Sequence, residues 1–339
     1  MITDFRSDTV TKPTAAMMDA MMNAEVGDDV FGEDPTINLL EHTMAGLFGM
    51  EAALYCVSGT MSNQIAIASH TRPGDEVICE REAHVYIYEG GGIAYHSGCQ
   101  TKPVAGYRGR ISAAQVLQSV NPDDVHWAHS ALVCIENTSN RGGGSCYELE
   151  EIKKIRQVCD KHGLRFHLDG ARLFNAMVAK NEKPVSFGKL FHSISVCFNK
   201  GLGCPTGSIL IGNSSFIGKA RRMRKLFGGG SRQAGFSAAT ALYAIGHHIE
   251  RLSRDHIHAG IIGEALHKHP LVSLVLPVET NLVIFELNKG EDPKRLISYL
   301  KEHEILLLAI TPERLRIVTH LDISEEMVHH FLKVLKDFK

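Results

Sequence analysis

Lys200 ends an apolar, β-branched run in "SISVCFNKGLGCPTGSILIG" and is followed at once by Gly201, Leu202 and Gly203. Such flanks argue for burial, and a buried ammonium is costly unless it is used. Asp169 ends another apolar run, in "RFHLDGAR", with Arg172 close behind it. The plainer reading of Asp169 is a turn aspartate capping the next helix. The plainer reading of the two together is an ion pair. Open α/β sheets bind ligands at the carboxyl ends of their strands. An amine and an acid on that rim suit pyridoxal phosphate: the lysine forms a Schiff base with the aldehyde, and the acid keeps the pyridine nitrogen protonated.

"YCVSGTMSNQ" supplies a phosphate site. A strand ends in Ser58, Gly59 and Thr60 where a helix begins, and free N–H groups at a helix start bind phosphate. An N-capped helix after a tight turn is the equal alternative. The stretch is neither G-x-G-x-x-G nor a Walker motif, which disfavours dinucleotides and nucleoside triphosphates. His84, in "REAHVYIYEGGG", follows an apolar strand and falls near the same rim, where an imidazole can stack on a pyridine ring or act as a base. His126, in "DDVHWAHSALVCIEN", precedes a strand and reads from the residues alone as structural, on the opposite sheet edge.

The elements that must position these groups alternate. "AALYCVSG", "DEVICE", "ALVCIEN", "RFHLDG", "SISVCFN" and "GSILIG" read as strands. "TMSNQIAIASH", "HVYIYEGGGIAY" and "ELEEIKKIRQVCDKHG" read as helices, the last stopping at Gly163. Strands alternating with helices give an α/β fold with a mostly parallel sheet covered on both faces. The last two strands are close enough in sequence to pair antiparallel. A helical region of roughly 234–267 follows. After it come "NLVIFEL", the helix "PKRLISYLKEHE", the strands "ILLLAI" and "RLRIVTH", and a final helix, "SEEMVHHFLKVLKDF". The expected division is a large domain over residues 1–250 and a small one over 251–339.

The 339 residues suffice for a large core. A net charge of -2 gives no reason to expect nucleic acid or an anionic membrane as partner. The eight cysteines include no C-x-x-C pair, so neither a disulfide framework nor a zinc site is expected, nor any other metal. The start, "MITDFRSDTVTKPT", lacks an apolar signal core, so a cytoplasmic setting is the default expectation.

Taken together, "DFRSDTVTKPT", "VGDDVFGEDPT", "SGTMSNQ", "HVYIYEGGG", "LVCIENT", "LDGARLFNA", "NKGLGCPTGS", "GGGSRQAG" and "LRIVTHLD" resemble the low-specificity L-threonine aldolases of the aspartate-aminotransferase-like pyridoxal-phosphate fold. The resemblance implies fold type I: a large domain with a mostly parallel seven-stranded sheet, a small C-terminal α/β domain, and an N-terminal segment, 1–14, reaching the active site. It implies retro-aldol cleavage of L-threonine or L-allo-threonine to glycine and acetaldehyde, with pyridoxal 5′-phosphate as cofactor. It also implies a homo-oligomer, commonly a tetramer built as a dimer of dimers. Position by position, Lys200 matches the Schiff-base lysine and Asp169 the partner of the pyridine nitrogen. Gly59 and Thr60 match the phosphate cradle, beside Ser58, and His84 matches the residue stacked on the ring. Ser7, Arg172 and Arg316 match the carboxylate-binding set, with Arg172 also near the cofactor. His126 matches a second active-site histidine, against the reading from the residues alone. Phe31, Lys225 and Arg232 match residues reaching a neighbouring subunit's site.

Two departures stand out. Phe31 replaces the family's usual tyrosine, and Ser139 stands where many relatives carry histidine; both bear on the preference for threo or erythro substrates. The expected chemistry needs an unprotonated lysine, which desolvation and the charge of Arg172 would favour. The base is His84, His126 or a water between them. The nearest rivals are a β-eliminating lyase and a serine hydroxymethyl-type activity on the same scaffold, separable by product: aldehyde plus glycine against pyruvate plus ammonia.

Overall fold

The structure, a computed structural model, describes residues 2–339. A short strand, β1 (Thr3–Asp4), opens the chain. The apolar runs then form one large sheet from β2 (Ala52–Cys56), β3 (Glu76–Glu80), β4 (Gln100–Val104), β5 (Ser130–Glu136), β6 (Arg165–Gly170), β7 (Ser193–Cys197) and β8 (Ser208–Gly212). Their order is β2-β8-β7-β6-β5-β3-β4. Only β8 is reversed: it runs antiparallel to both β2 and β7, while the other neighbours are parallel. Every residue of β3, β5, β7 and β8 is buried, as expected of strands covered by helices on both faces.

The sequence pattern misses β4. This strand carries Pro103 and Lys102 and lies at the sheet edge, where a missing N–H is tolerated. The helix expected over "HVYIYEGGGIAY" is two short ones, His84–Ile87 and Gly92–Ser97, because Gly90 and Gly91 both adopt positive φ between them. The helix Leu149–His162 ends at Gly163, at φ 68°, as its pattern requires.

The helical region of the second half is two helices, Gly235–His247 and Leu252–His267. A small antiparallel sheet follows, from β9 (Val272–Val275), β10 (Leu282–Leu287), β12 (Leu308–Ala309) and β13 (Arg314–Val318), in the order β12-β13-β10-β9. The run "ILLLAI" is not one strand. Its first part, β11 (Ile305–Leu306), pairs in parallel with β1, and its second part joins the small sheet. The N-terminus is thereby tied to this second layer. Phe5 packs in its core with Leu266, Phe285 and Phe331, and Val318 N donates to Phe5 O at 2.9 Å. Residues 6–10 then run from the small sheet towards the carboxyl edge of the large one. All eight cysteines are free and buried. No helix among the described residues is long and apolar enough to cross a membrane.

Candidate active site

The strands β5, β6 and β7 all end at one edge, where polar or reactive side chains, Glu136, Asp169 and Cys197, gather. Register pairs Glu136 with Asp169, and Asp169 with Ser195. Beyond Cys197 the chain turns, and Lys200 follows. On the other side of β7, Ser58 caps the helix Gly59–His70, its Oγ accepting from Met61 N at 3.2 Å. Gly59 is required there: a Cβ would lie 2.5 Å from Cys197 Sγ. The N–H groups of the first turn point out of the helix without intrahelical partners. A cavity of about 470 Å3 opens over this edge. It is lined by Lys200, Asp169, His84, Ser58, Gly59, Thr60, Ser7, Arg172 and Arg316, with Leu308, Ala309 and Ile310 closing it from the small sheet.

The acids form the floor. Asp169 accepts from Asn63 Nδ2 (2.9 Å) and from Ala171 N (3.1 Å). Burial pushes its pKa up, Glu89 adds to this, and His84 and the two N–H donors oppose it. Glu136 accepts from Asn140 N and His84 N; burial, reinforced by the charge of Asp169, pushes it up to about 7. His84 Nδ1 lies 2.9 Å from Glu89 Oε1. Burial alone would lower the imidazole pKa, but the bond to Glu89 and the charges of Asp169 and Glu136 raise it overall. His84, Glu89 and Asp169 offer ligand-type atoms within 4.8 Å of one another. Asn63 and Gln64 donate into the same carboxylates, so the three form a hydrogen-bonded network.

The cations sit opposite, around the N-terminal segment. Arg172 holds Asp8 through Nε and Nη2, both at 2.7 Å, and both residues are buried. Burial would raise the Asp8 carboxyl, but Arg172 outweighs it and holds the pKa down at about 2. The charge expected to act on Lys200 is therefore already met by a carboxylate. Lys200 itself is half-buried at the cavity wall, rather than sealed from water. Arg316, on β13, reaches Asn140 Oδ1 (2.8 Å) and Arg6 O (3.0 Å), while its Nε is buried without a partner. Burial, then Arg172, lowers its pKa to about 10. Asn199 Oδ1, in the same cavity, is also buried and unpartnered.

The family profile described as beta-eliminating lyase matches residues 4–289. Low-specificity L-threonine aldolase 1 of Arabidopsis thaliana is 39% identical over 336 residues, covering 97% of this chain and 94% of that one. The low specificity L-threonine aldolase of Escherichia coli K12 is 39% identical over 326 residues, covering 96% of each. This chain belongs to the low-specificity L-threonine aldolase family. Among solved structures, the threonine aldolase of Leishmania major superposes with a TM-score of 0.85 at 22% identity, over 98% of both chains. A putative L-allo-threonine aldolase of Listeria monocytogenes superposes at 0.79 and 20% identity, over 95% of this chain and 93% of that one. These two establish the common fold.

His126, expected at the active site, and Phe31, Lys225 and Arg232, expected to reach a neighbouring subunit's site, all lie outside this chain's cavity. His126 is in the loop before β5, at the opposite sheet edge; its side chain is 84% exposed and its Nδ1 bonds Asp124 at 2.7 Å. Within one chain it therefore lies at the edge away from the cavity. Phe31, Lys225 and Arg232 are exposed and gather on one surface. The Arg232 guanidinium lies over the Phe31 ring at 5.7 Å and pairs with Asp28 at 2.7 Å, and the Lys225 chain packs beside Gly230. Ser139 is buried with its hydroxyl accepting from Gly142 N; its neighbour Asn140, not Ser139, lines the cavity. Sequence reasoning missed Asn63, Glu89, Glu136 and Asp8. Glu136 carried a signal, an acid ending a fully apolar run as Asp169 does. Glu89 and Asn63 carried none, since only tertiary packing brings them to Asp169.

Proposed function

We propose that the chain is a pyridoxal 5′-phosphate-dependent aldehyde-lyase that cleaves L-threonine, L-allo-threonine and related β-hydroxy-α-amino acids to glycine and an aldehyde. One observation carries the reading: Lys200, Asp169, His84 and Arg316, from four separate parts of the chain, line one cavity at the strand ends. The residues present fit the cofactor. The helix start offers free N–H groups, the floor offers a buried acid, and two buried polar atoms, Arg316 Nε and Asn199 Oδ1, lack partners. When bound, the cofactor supplies the sink for the electrons of the bond broken at the substrate's α-carbon. Lys200 would anchor it, the Gly59 and Thr60 N–H groups with the Ser58 hydroxyl would hold its phosphate, and Asp169 would hold a proton on its ring nitrogen.

Of the two arginines lining the cavity, Arg316 is the one without a carboxylate, so it would take the substrate's. Arg172, engaged by Asp8, backs Ser7 and the N-terminal segment against the cavity. Glu89 accepts the Nδ1 hydrogen of His84, which leaves Nε2 as the acceptor. His84, or a water it holds, would then take the β-hydroxyl proton, a step worth roughly 10²–10⁴-fold. The division near residue 250 lets the small domain bring Arg316 to the cofactor-holding one.

A homo-oligomer, built as a dimer of dimers, accounts for the surface. Met18, Met22, Leu39 and Phe236 are large exposed apolar side chains on the helix Gly235–His247 and the two helices packed against it, and Phe31, 73% exposed, lies near Lys225 and Arg232. Phe31, Lys225 and Arg232 would serve a neighbouring subunit's site. The free, buried cysteines suit a reducing, cytoplasmic setting. Incubation of the purified protein with L-threonine, L-allo-threonine and L-phenylserine, followed by product identification, tests the reading. Glycine with the matching aldehyde is expected; a 2-oxo acid with ammonia would make the chain an eliminase instead.

A further inference from the structure

The roles above leave one buried polar chain without a task. Asn63, one turn into the helix Gly59–His70, donates from Nδ2 to Asp169 Oδ2 (2.9 Å) and to Glu89 Oε1 (3.0 Å). Its Oδ1 faces His167 Nε2 at 3.2 Å. His167 Nδ1 is 2.8 Å from Ser193 Oγ, and the same oxygen is 2.8 Å from His70 Nε2. Asn63, His167 and Ser193 are all buried within the sheet and the helix covering it. The chain crosses the body of the large domain, from the cavity floor to its far edge.

Hydrogen counting fixes the direction of every bond. Two carboxylates take both Nδ2 hydrogens of Asn63, so its Oδ1 accepts, and His167 Nε2 must carry a hydrogen. Burial lowers the His167 pKa to about 3, so the ring is neutral and Nε2 holds its single ring hydrogen. Nδ1 therefore accepts, the Ser193 hydroxyl donates to it, and His70 Nε2 donates to Ser193. All donors point one way, towards Asp169 and Glu89, and bonds aligned in this manner polarise one another. A reversed amide would set its oxygen against two acids and its N–H against that of His167.

We propose that Asn63, locked by the His167–Ser193 pair, is the positioning residue of this site, spacing Asp169 from the Glu89–His84 pair. One amide thus holds both Asp169, the acid that would meet the ring nitrogen, and, through Glu89, the His84 imidazole. The inference rests on the cofactor assignment above, but not on which amino acid is cleaved.

The test titrates the full-length apoprotein with pyridoxal 5′-phosphate, followed by visible absorbance, and measures kcat and KM on L-threonine. Asn63→Ala and His167→Phe should each weaken cofactor binding about 10- to 100-fold and lower kcat similarly, as expected when hydrogen bonds to a buried charge are lost, with KM within about threefold. His167→Gln, whose side-chain N–H can replace Nε2–H, should recover most of the loss. Ser193→Ala removes only the hydroxyl and should show a smaller loss of the same kind, which keeps the test open should the larger changes prevent folding. Wild-type affinity and kcat in Asn63→Ala or Ser193→Ala would overturn the proposal, as would a His167→Gln variant no better than His167→Phe. A wild-type protein that binds the cofactor yet releases no glycine would sink the aldolase reading and leave the affinity comparison standing.

Discussion

Arg316→Met should leave the free protein as stable as before, or slightly more so, while crippling its grip on an amino acid. The guanidinium has no carboxylate partner: its bonds go to Asn140 Oδ1 and Arg6 O, and Nε has none. Its pKa falls from 12.5 to about 10. At about 1.4 kcal/mol per pH unit, the charged form is held roughly 3 kcal/mol above a solvated guanidinium. Methionine removes that penalty and keeps much of the stem's packing, but forfeits two hydrogen bonds to neutral acceptors at about 1 kcal/mol each. The two contributions nearly cancel, so stability should change by no more than about 1 kcal/mol, on the side of a gain. With substrate bound the sign reverses. Charge-assisted bonds to a carboxylate are worth about 1.5–3 kcal/mol each, so KM for L-threonine should rise on the order of 100-fold with a much smaller change in kcat. Thermal melting and steady-state kinetics read the two halves separately. A melting temperature lowered by more than about 5 °C with KM unchanged would make Arg316 a structural side chain and refute the reasoning.

Asp169→Asn should still bind cofactor, by absorbance titration, but lose most turnover, because an amide does not hold a proton on the ring nitrogen as a carboxylate does. Asp8→Asn should lose at least about 2 kcal/mol at pH 7 in urea unfolding, from a pKa depressed from 3.8 to about 2. Since the folded-state pKa is the lower one, that stability is present above about pH 4 and disappears as pH falls through about 2, so the two proteins should converge in acid. Mixing and reassembling Lys200→Ala chains with Lys225→Ala chains should restore activity that neither has alone, if Lys225 serves a neighbouring site; no recovery in confirmed hybrids would confine Lys225 to its own chain.

The parts of the site legible in the sequence were those where chemistry interrupts an apolar run. Lys200, Asp169 and the Ser58–Thr60 turn each end a strand, and strand ends in an alternating α/β chain share one edge. Register carries no such mark. That Glu136 stands beside Asp169, or that the Asp8 carboxylate finds Arg172, depends on pairings between segments far apart in sequence. Lone polar residues inside helices, such as Asn63, read as ordinary surface until the facing strand is known. The edge strand β4 and the splitting of "ILLLAI" were hidden for a different reason: Pro103 depresses the strand signal, and a continuous apolar run does not reveal that its two ends pair with different partners. Four exposed residues, His126, Phe31, Lys225 and Arg232, were placed by resemblance, and their geometry within one chain points away from its cavity.

The charges around the cavity sort into pairs, and what remains unpaired defines the chemistry. Arg172 and Asp8 neutralise each other in a bidentate contact; His84 and Glu89 do so through a single bond whenever the imidazole is protonated. Glu136, pushed up to about 7, carries only a partial charge near neutrality, and two buried acids on adjacent strands resist ionising together. Setting aside Lys200, the cofactor's proposed anchor, these pairs leave Asp169 on the sheet side and Arg316 on the small-domain side. Asp169 would face the cofactor's ring nitrogen and Arg316 the carboxylate of an amino-acid substrate. With the surrounding pairs neutral, these two groups would set the ligand's direction. Freeing any third charge, by removing Asp8 or Glu89, would offer the ligand a second orientation before it removed any group that performs the reaction.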